Sequence, residues 1–137
     1  MKFPLDSTEV NEKLNPIKGF TQSLYIIRSD NNPSELKDAF SRYKESKERA
    51  CSKINGHDSN VLYVGSSSTG LKNRLSGHFG FGYPGTYSLH MNHWFGGKID
   101  VEVFEFKGID RELLQLIEDA LSDSLSPMFG KRGSNSR

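Results

Sequence analysis

Apolar residues recur along this chain with two different periods, and the change from one to the other marks out most of its elements. Ser23-Leu24-Tyr25-Ile26-Ile27-Arg28 is short, apolar and β-prone, and the turn formers Ser29-Asp30-Asn31-Asn32 close it, so a strand is expected there. Leu36, Ala39, Phe40 and Tyr43 then fall at helical spacing behind a start signal: Asn32 to cap, Pro33 at the first helical position and Glu35 to reach back as in a capping box. This helix is expected to fill residues near 33–53, with charges of alternating sign on a solvated face and Glu45 four residues before Arg49. Val61-Leu62-Tyr63-Val64-Gly65 reads as a second strand, and Ser66-Ser67-Ser68-Thr69 offers caps for a helix over 70–79 with Leu71, Leu75 and Phe79 on one side. A glycine-rich loop from Gly80 to Gly85 and a short helical stretch over 86–95 follow. Over 99–106, Val101, Val103 and Phe104 interleave with Asp100, Glu102 and Glu105, which suits a third strand. Asp110 caps a last helix whose apolar stripe is Leu113, Leu114, Leu116, Ile117, Ala120, Leu121 and Leu125, stopped by Pro127.

The two ends carry no period. Residues 1–21, with Pro4, Pro16 and Gly19, read as an arm or irregular lead-in, and 131–137 as a basic, flexible tail. Between them, 22–130 reads as one domain in the order β, α, β, α, α, β, α, without internal repeats. That order predicts an α/β (α+β) chain in which helices cover a three-stranded sheet.

Composition narrows the function classes. The 137 residues suit one domain, and a 34% hydrophobic content with nine Phe, five Tyr and one Trp is enough for a core, which excludes wholesale disorder. The single cysteine, Cys51, excludes an intramolecular disulfide and a cysteine-rich zinc site. No apolar run reaches membrane-spanning length, so a soluble cytoplasmic protein with no membrane partner is expected. A net charge of +1 argues against indiscriminate nucleic-acid binding and confines any polyanion contact to a restricted surface. Lys72 and Arg74 form one candidate patch, and Lys131, Arg132 and Arg137 another.

The stretch from Tyr63 to His78 carries the most chemistry. A tyrosine sits mid-strand, the strand ends on Gly65, and Arg74 and His78 lie one helical turn apart on the same face. An arginine, a histidine and a helix start beside a strand-end tyrosine make a phosphate-handling corner. On the last helix Glu112, Asp119 and Asp123 fall opposite the apolar stripe, whereas Glu118 falls at its margin, where a carboxylate needs hydrogen bonds, a cation or a metal. By default each of these residues has a plainer role: core aromatics, a surface arginine, a packed histidine and a salt-bridged glutamate.

Taken in order, the series resembles the GIY-YIG nucleases. Leu24-Tyr25-Ile26 is similar to their first motif, Tyr63-Val64-Gly65 to their second, Arg74 and His78 to their helical pair, and Glu118 to their metal-binding glutamate. The resemblance spans roughly residues 22–130 and implies a small three-stranded antiparallel central sheet flanked by helices. It further implies a DNA endonuclease with one Mg²⁺ (or Mn²⁺) on Glu118, Arg74 bracing the phosphate, and Tyr25, Tyr63 or His78 orienting or deprotonating the water. The chain departs from the family pattern in three places. Ser23-Leu24 precedes the first tyrosine in place of Gly-Ile, a whole helix separates the two motifs, and Gly130 stands at the usual Asn position, leaving Asn135 as the candidate substitute. Lys72, Arg74, Lys131 and Arg132 are the expected nucleic-acid contacts. The rival readings are a catalytically weakened nucleic-acid-binding module of the same fold and a protein-interaction domain.

Other signals are set aside. Gly80-Phe81-Gly82-Tyr83-Pro84-Gly85 matches the letters of a dinucleotide-binding loop, but it follows a helix and contains a proline where a helix should begin. Its aromatics could instead touch a nucleic acid. His90 and His93 lack the partners of a metal shell, Trp94 reads as core, and Cys51, late in a charged helix, has no activating partner.

Overall fold

The computed structural model describes residues 1–131. Its elements run β1 (Lys2–Phe3), α1 (Ser7–Leu14), a 3-10 turn (Asn15–Ile17), β2 (Ser23–Arg28), α2 (Pro33–Glu45), β3 (Val61–Ser67), α3 (Leu71–His78), a 3-10 turn (Met91–His93), β4 (Gly97–Lys98), β5 (Asp100–Glu105) and α4 (Arg111–Leu125). The fold is α+β. Strands β3, β2 and β5 form an antiparallel sheet in that order, and β1 pairs with β4 in a second, two-stranded sheet.

The central sheet divides the core in two, because alternate residues of a strand face opposite sides. Tyr25, Ile27, Tyr63, Val101 and Val103 face the larger core, which α1, α2 and α3 close with Val10, Leu14, Leu36, Phe40, Leu71, Leu75 and Phe79. Leu24, Ile26 and Val64 face the smaller core, covered by Ile117, Leu121 and Leu125 of α4. Between Ile27 and Arg28 the pairing with β3 slips, so that Tyr63 opposes Ile27 and Val61 opposes Arg28.

Local signals set the starts of two helices as expected. Asn32 accepts a hydrogen bond from the Glu35 N–H at 3.1 Å, and Asp110 accepts one from the Leu113 N–H at 2.7 Å.

Five expectations need correction. The first twenty residues are not an irregular arm: Asp6 caps α1 by accepting from the Glu9 N–H at 2.8 Å, and Phe3, Val10 and Leu14 are buried in the larger core. Helix α2 ends at Glu45, so Glu45 and Arg49 do not share a helix and Cys51 lies beyond it, bridged to Ser88. Ser66 and Ser67 are not caps; β3 runs through them because both pair with β2, and Gly70 stands at the cap position of α3 without a side-chain bond. Residues 86–95 make only the 3-10 turn Met91–His93, and the preceding segment is irregular. Finally, the stripe of α4 is narrower than expected, since Leu113 and Leu116 are exposed while Leu114 and Glu118 are buried.

Candidate active site

Four of the five residues matched in sequence meet on one side of the sheet. Tyr25 on β2 and Tyr63 on β3 stand across the strand pair with their rings stacked, centroids 6.1 Å apart and planes 5° from parallel. His78, from the last turn of α3, packs on both, 5.7 Å from the Tyr25 ring and 4.2 Å from the Tyr63 ring. The Tyr25 hydroxyl lies directly over Gly65, where any Cβ would overlap it. That close approach is a physical reason for the glycine at the end of the Tyr-Val-Gly triplet.

Hydrogen bonding fixes the tautomer of His78. Its Nδ1 accepts from the Leu89 N–H at 3.2 Å, so in the neutral ring the proton sits on Nε2, which lies 3.0 Å from the Tyr25 oxygen and donates to it. Burial, then the nearby positive charge of Arg74, holds the His78 pKa well below the ordinary imidazole value. A histidine so placed is a poor proton acceptor: one nitrogen is occupied by a backbone donor and the other already carries a proton. Its role is to hold Tyr25.

Tyr25 is fully buried, and burial followed by the Tyr63 neighbour raises its pKa well above the usual phenol range, against the opposing pull of Arg74. It therefore remains protonated and cannot deprotonate a water unaided, and it is closed off from solvent between Gly65 and His78. Arg74 is half-buried beside Tyr25, and its pKa is raised by Tyr25 first, then by Tyr63 and Glu118, against the opposing effect of burial. Its Nε is buried without a hydrogen-bond partner among the described residues. A buried donor of this kind is costly unless an acceptor joins it. Arg74 and His78 line a cavity of about 580 Å³, together with Asn73, Phe81 and the exposed Tyr83 and Tyr87.

Glu118 lies across the sheet from the tyrosines. It is 1% exposed, its Oε1 accepts from the Ser66 hydroxyl at 2.7 Å and its Oε2 from the Gln115 amide at 3.0 Å. Ser66 pairs with Leu24, on the face that α4 covers, whereas Gly65 pairs with Tyr25 on the other. Burial raises the Glu118 pKa above the usual carboxylate value; Ser66, Gln115 and Arg74 pull it back. Arg74 thus senses both faces at the end of β3. Glu118 is an oxygen donor of the kind a hard cation takes, but it is covered and both its oxygens are hydrogen-bonded, so a Mg²⁺ carrying waters and phosphate would have to displace Ser66 or Gln115 to reach it. Among the described residues no group of three or more His, Cys, Asp or Glu side chains is assembled for a metal.

The remaining candidates are dispersed. Lys72 donates to Asn15 at 2.9 Å on the surface, and Lys131 is exposed and lines a separate cleft with Tyr63 and Tyr87. Arg132 and Asn135 lie outside the described residues. Gly130 has φ +104°, and a Cβ there would come within 2.8 Å of Tyr63 Cε2, so an asparagine at this position would be strained and would press on the Tyr63 ring. Sequence reasoning missed Ser66 and Gln115, which hold Glu118. Gln115 could have been found from its position one turn before Glu118. Ser66 could not, because its strand continues only through pairing. His90 is a buried structural residue whose Nε2 bonds to the carbonyls of Ala50 and Thr86, and the Trp94 indole N–H donates to the Leu89 carbonyl.

No protein-family model, curated protein or solved structure matches this chain. Among the described residues no helix is long and apolar enough to cross a membrane.

Proposed function

We propose that this chain is a metal-dependent endonuclease of the GIY-YIG type, hydrolysing DNA phosphodiester bonds at the end of β3. The observation that carries the reading is the convergence of Tyr25, Tyr63, His78 and Arg74, with the Arg74 Nε left without a partner at the wall of a cavity large enough for a nucleotide. A phosphate oxygen is the natural acceptor for that donor, since a guanidinium matches phosphate with parallel hydrogen bonds.

In this reading each residue has a role. Arg74 braces the scissile phosphate, and His78, by donating to the buried Tyr25 hydroxyl, fixes the tyrosine pair beside which the attacking water would lie. Water oxygen bonds to phosphorus as the bond to the leaving 3′ oxygen breaks; the water loses a proton to solvent and the leaving oxygen gains one. Glu118 would hold the Mg²⁺ or Mn²⁺, which when bound supplies charge neutralisation on the phosphoryl and leaving oxygens.

A second reading, a nucleic-acid-binding module that does not cut, is favoured by one specific feature: Tyr25 and Glu118 are both covered, on opposite faces of the sheet. A supercoiled-plasmid nicking assay in Mg²⁺ and Mn²⁺ separates the two. Under the nuclease reading, wild type nicks, chelation stops it, and Glu118→Gln and Arg74→Ala each lower the rate by roughly a hundredfold or more. Binding without nicking, on plasmid, single-stranded and branched substrates alike, replaces the nuclease with the binding module.

A further inference from the structure

Beside Tyr63 lies a second cleft of about 210 Å³ lined by Lys44, Cys51, Ser52, Lys53, Tyr87 and Lys131. Three lysines from three segments of the chain gather there. All three are exposed. The Lys44 ammonium donates to the Ser52 carbonyl at 3.1 Å, and Lys53 and Lys131 are brought together because the Gly130 N–H donates to the Lys53 carbonyl at 2.8 Å. Ser52 is 4% exposed, and its hydroxyl, buried in the cleft wall, has no hydrogen-bond partner among the described residues. Among the described residues no carboxylate lines this cleft, although Asp123 borders Lys53 and Lys131 in the neighbouring one, and the three ammonium groups with an unsatisfied buried hydroxyl suit an anionic ligand rich in acceptors.

Tyr87 identifies what kind. It borders both this cleft and the Arg74 cavity, and it is 70% exposed, with Tyr83 at 76% close by on the same loop. An aromatic ring this exposed has no packing partner to justify it, and it stands between two phosphate-seeking surfaces. Nucleic acid presents that alternation of phosphate, base and phosphate, provided the base is unpaired and free to stack.

We propose that the lysine cleft is a subsite for the nucleotide adjoining the scissile phosphate on an unpaired strand, with its phosphate held by Lys44, Lys53 and Lys131 and its base stacked on Tyr87. The inference rests on the phosphate-binding reading of the Arg74 cavity and extends it to a substrate class: single-stranded or frayed nucleic acid, not intact duplex. Cutting is not required for it.

The test is fluorescence anisotropy with a labelled oligothymidine and a matched duplex in EDTA, over a range of salt, so that hydrolysis plays no part. The expected result is tighter binding of the single strand than of the duplex. Tyr87→Ala should weaken single-strand binding roughly tenfold. In Lys53→Gln/Lys131→Gln, two phosphate contacts fewer should flatten the log–log salt dependence by about 1.4. Both variants change exposed side chains, and thermal unfolding of each should match wild type. Unchanged affinity and salt slope in the two variants would overturn the subsite, as would equal affinity for duplex and single strand. Cleavage in Mg²⁺ of plasmid, single-stranded and branched substrates is scored separately, so a protein that binds in this pattern but cuts none of them loses the nuclease reading and keeps the subsite.

Discussion

Position 130 shows how one residue constrains the site. An asparagine there would satisfy the family pattern, but φ is +104° and a Cβ would press on the Tyr63 ring. Asparagine tolerates the left-handed region near +57°, not this one. Gly130→Asn should therefore lower stability by about 1–3 kcal/mol, with no gain in nicking, as read from urea unfolding and plasmid assays together. A stable Gly130→Asn protein with enhanced nicking would mean that the backbone adapts and that the family role is restored there. Glu118 gives a second prediction. Its pKa lies above the ordinary carboxylate value because it is buried, so its protonated form adds to folded stability at low pH and that contribution fades as pH rises through the raised pKa. Metal binding needs the carboxylate and runs the other way: nicking should switch on as pH rises through that same pKa. Ser66→Ala removes the hydroxyl that favours the charged form, so the acid limb of the pH–rate profile should move up, with a stability loss of about 1–2 kcal/mol near neutral pH. An unmoved acid limb would separate Glu118 from the chemistry. Tyr63, Arg74 and Glu118 could be singled out in sequence because strand-end and helix-face positions are periodic. Their hydrogen-bond partners could not, because Leu89 meets His78 and Ser66 meets Glu118 only through folding.

At the scale of elements, the starts of α2 and α4 were legible because a cap acts over three residues, within the reach of local sequence. Helix α1 was not, although Asp6 and Glu9 carry the same signal, because only Val10 and Leu14 of its eight residues are buried and two such positions make no visible period. The end of β3 was misread for a related reason. Serines after a strand favour a cap locally, but the register Ser23↔Ser67 and Leu24↔Ser66 keeps them extended. If α1 is part of the larger core and not an arm, Leu14→Ala should cost about 2–4 kcal/mol in urea unfolding, since Leu14 is buried beneath it. A cost within about 0.5 kcal/mol, the range of surface substitutions, would return the first twenty residues to the status of a lead-in.

For the molecule as a whole, the order of motifs along the chain says nothing about which face of the sheet each reaches. Tyr25 and Tyr63 belong to the core under α1, α2 and α3, Glu118 to the side covered by α4, and the Arg74 guanidinium is influenced by groups on both. If the protein cuts, the scissile phosphate must sit at the end of β3, within reach of that one guanidinium from both sides. Arg74→Lys then discriminates between bracing and mere attraction. Lysine keeps the charge, and with it most of the long-range pull on a polyanion, but lacks the planar fork and the Nε donor that Arg74 leaves unpartnered. Nicking rates should fall roughly a hundredfold while affinity in EDTA changes only a few-fold, because a misaligned brace costs far more in the transition state than in the ground state. Equal losses in binding and cutting would reduce Arg74 to an anchoring charge. In that event the covered Tyr25 and Glu118 would be structural residues, and the fold would be a binding module whose work is done at the lysine cleft and the loop that carries Tyr83 and Tyr87.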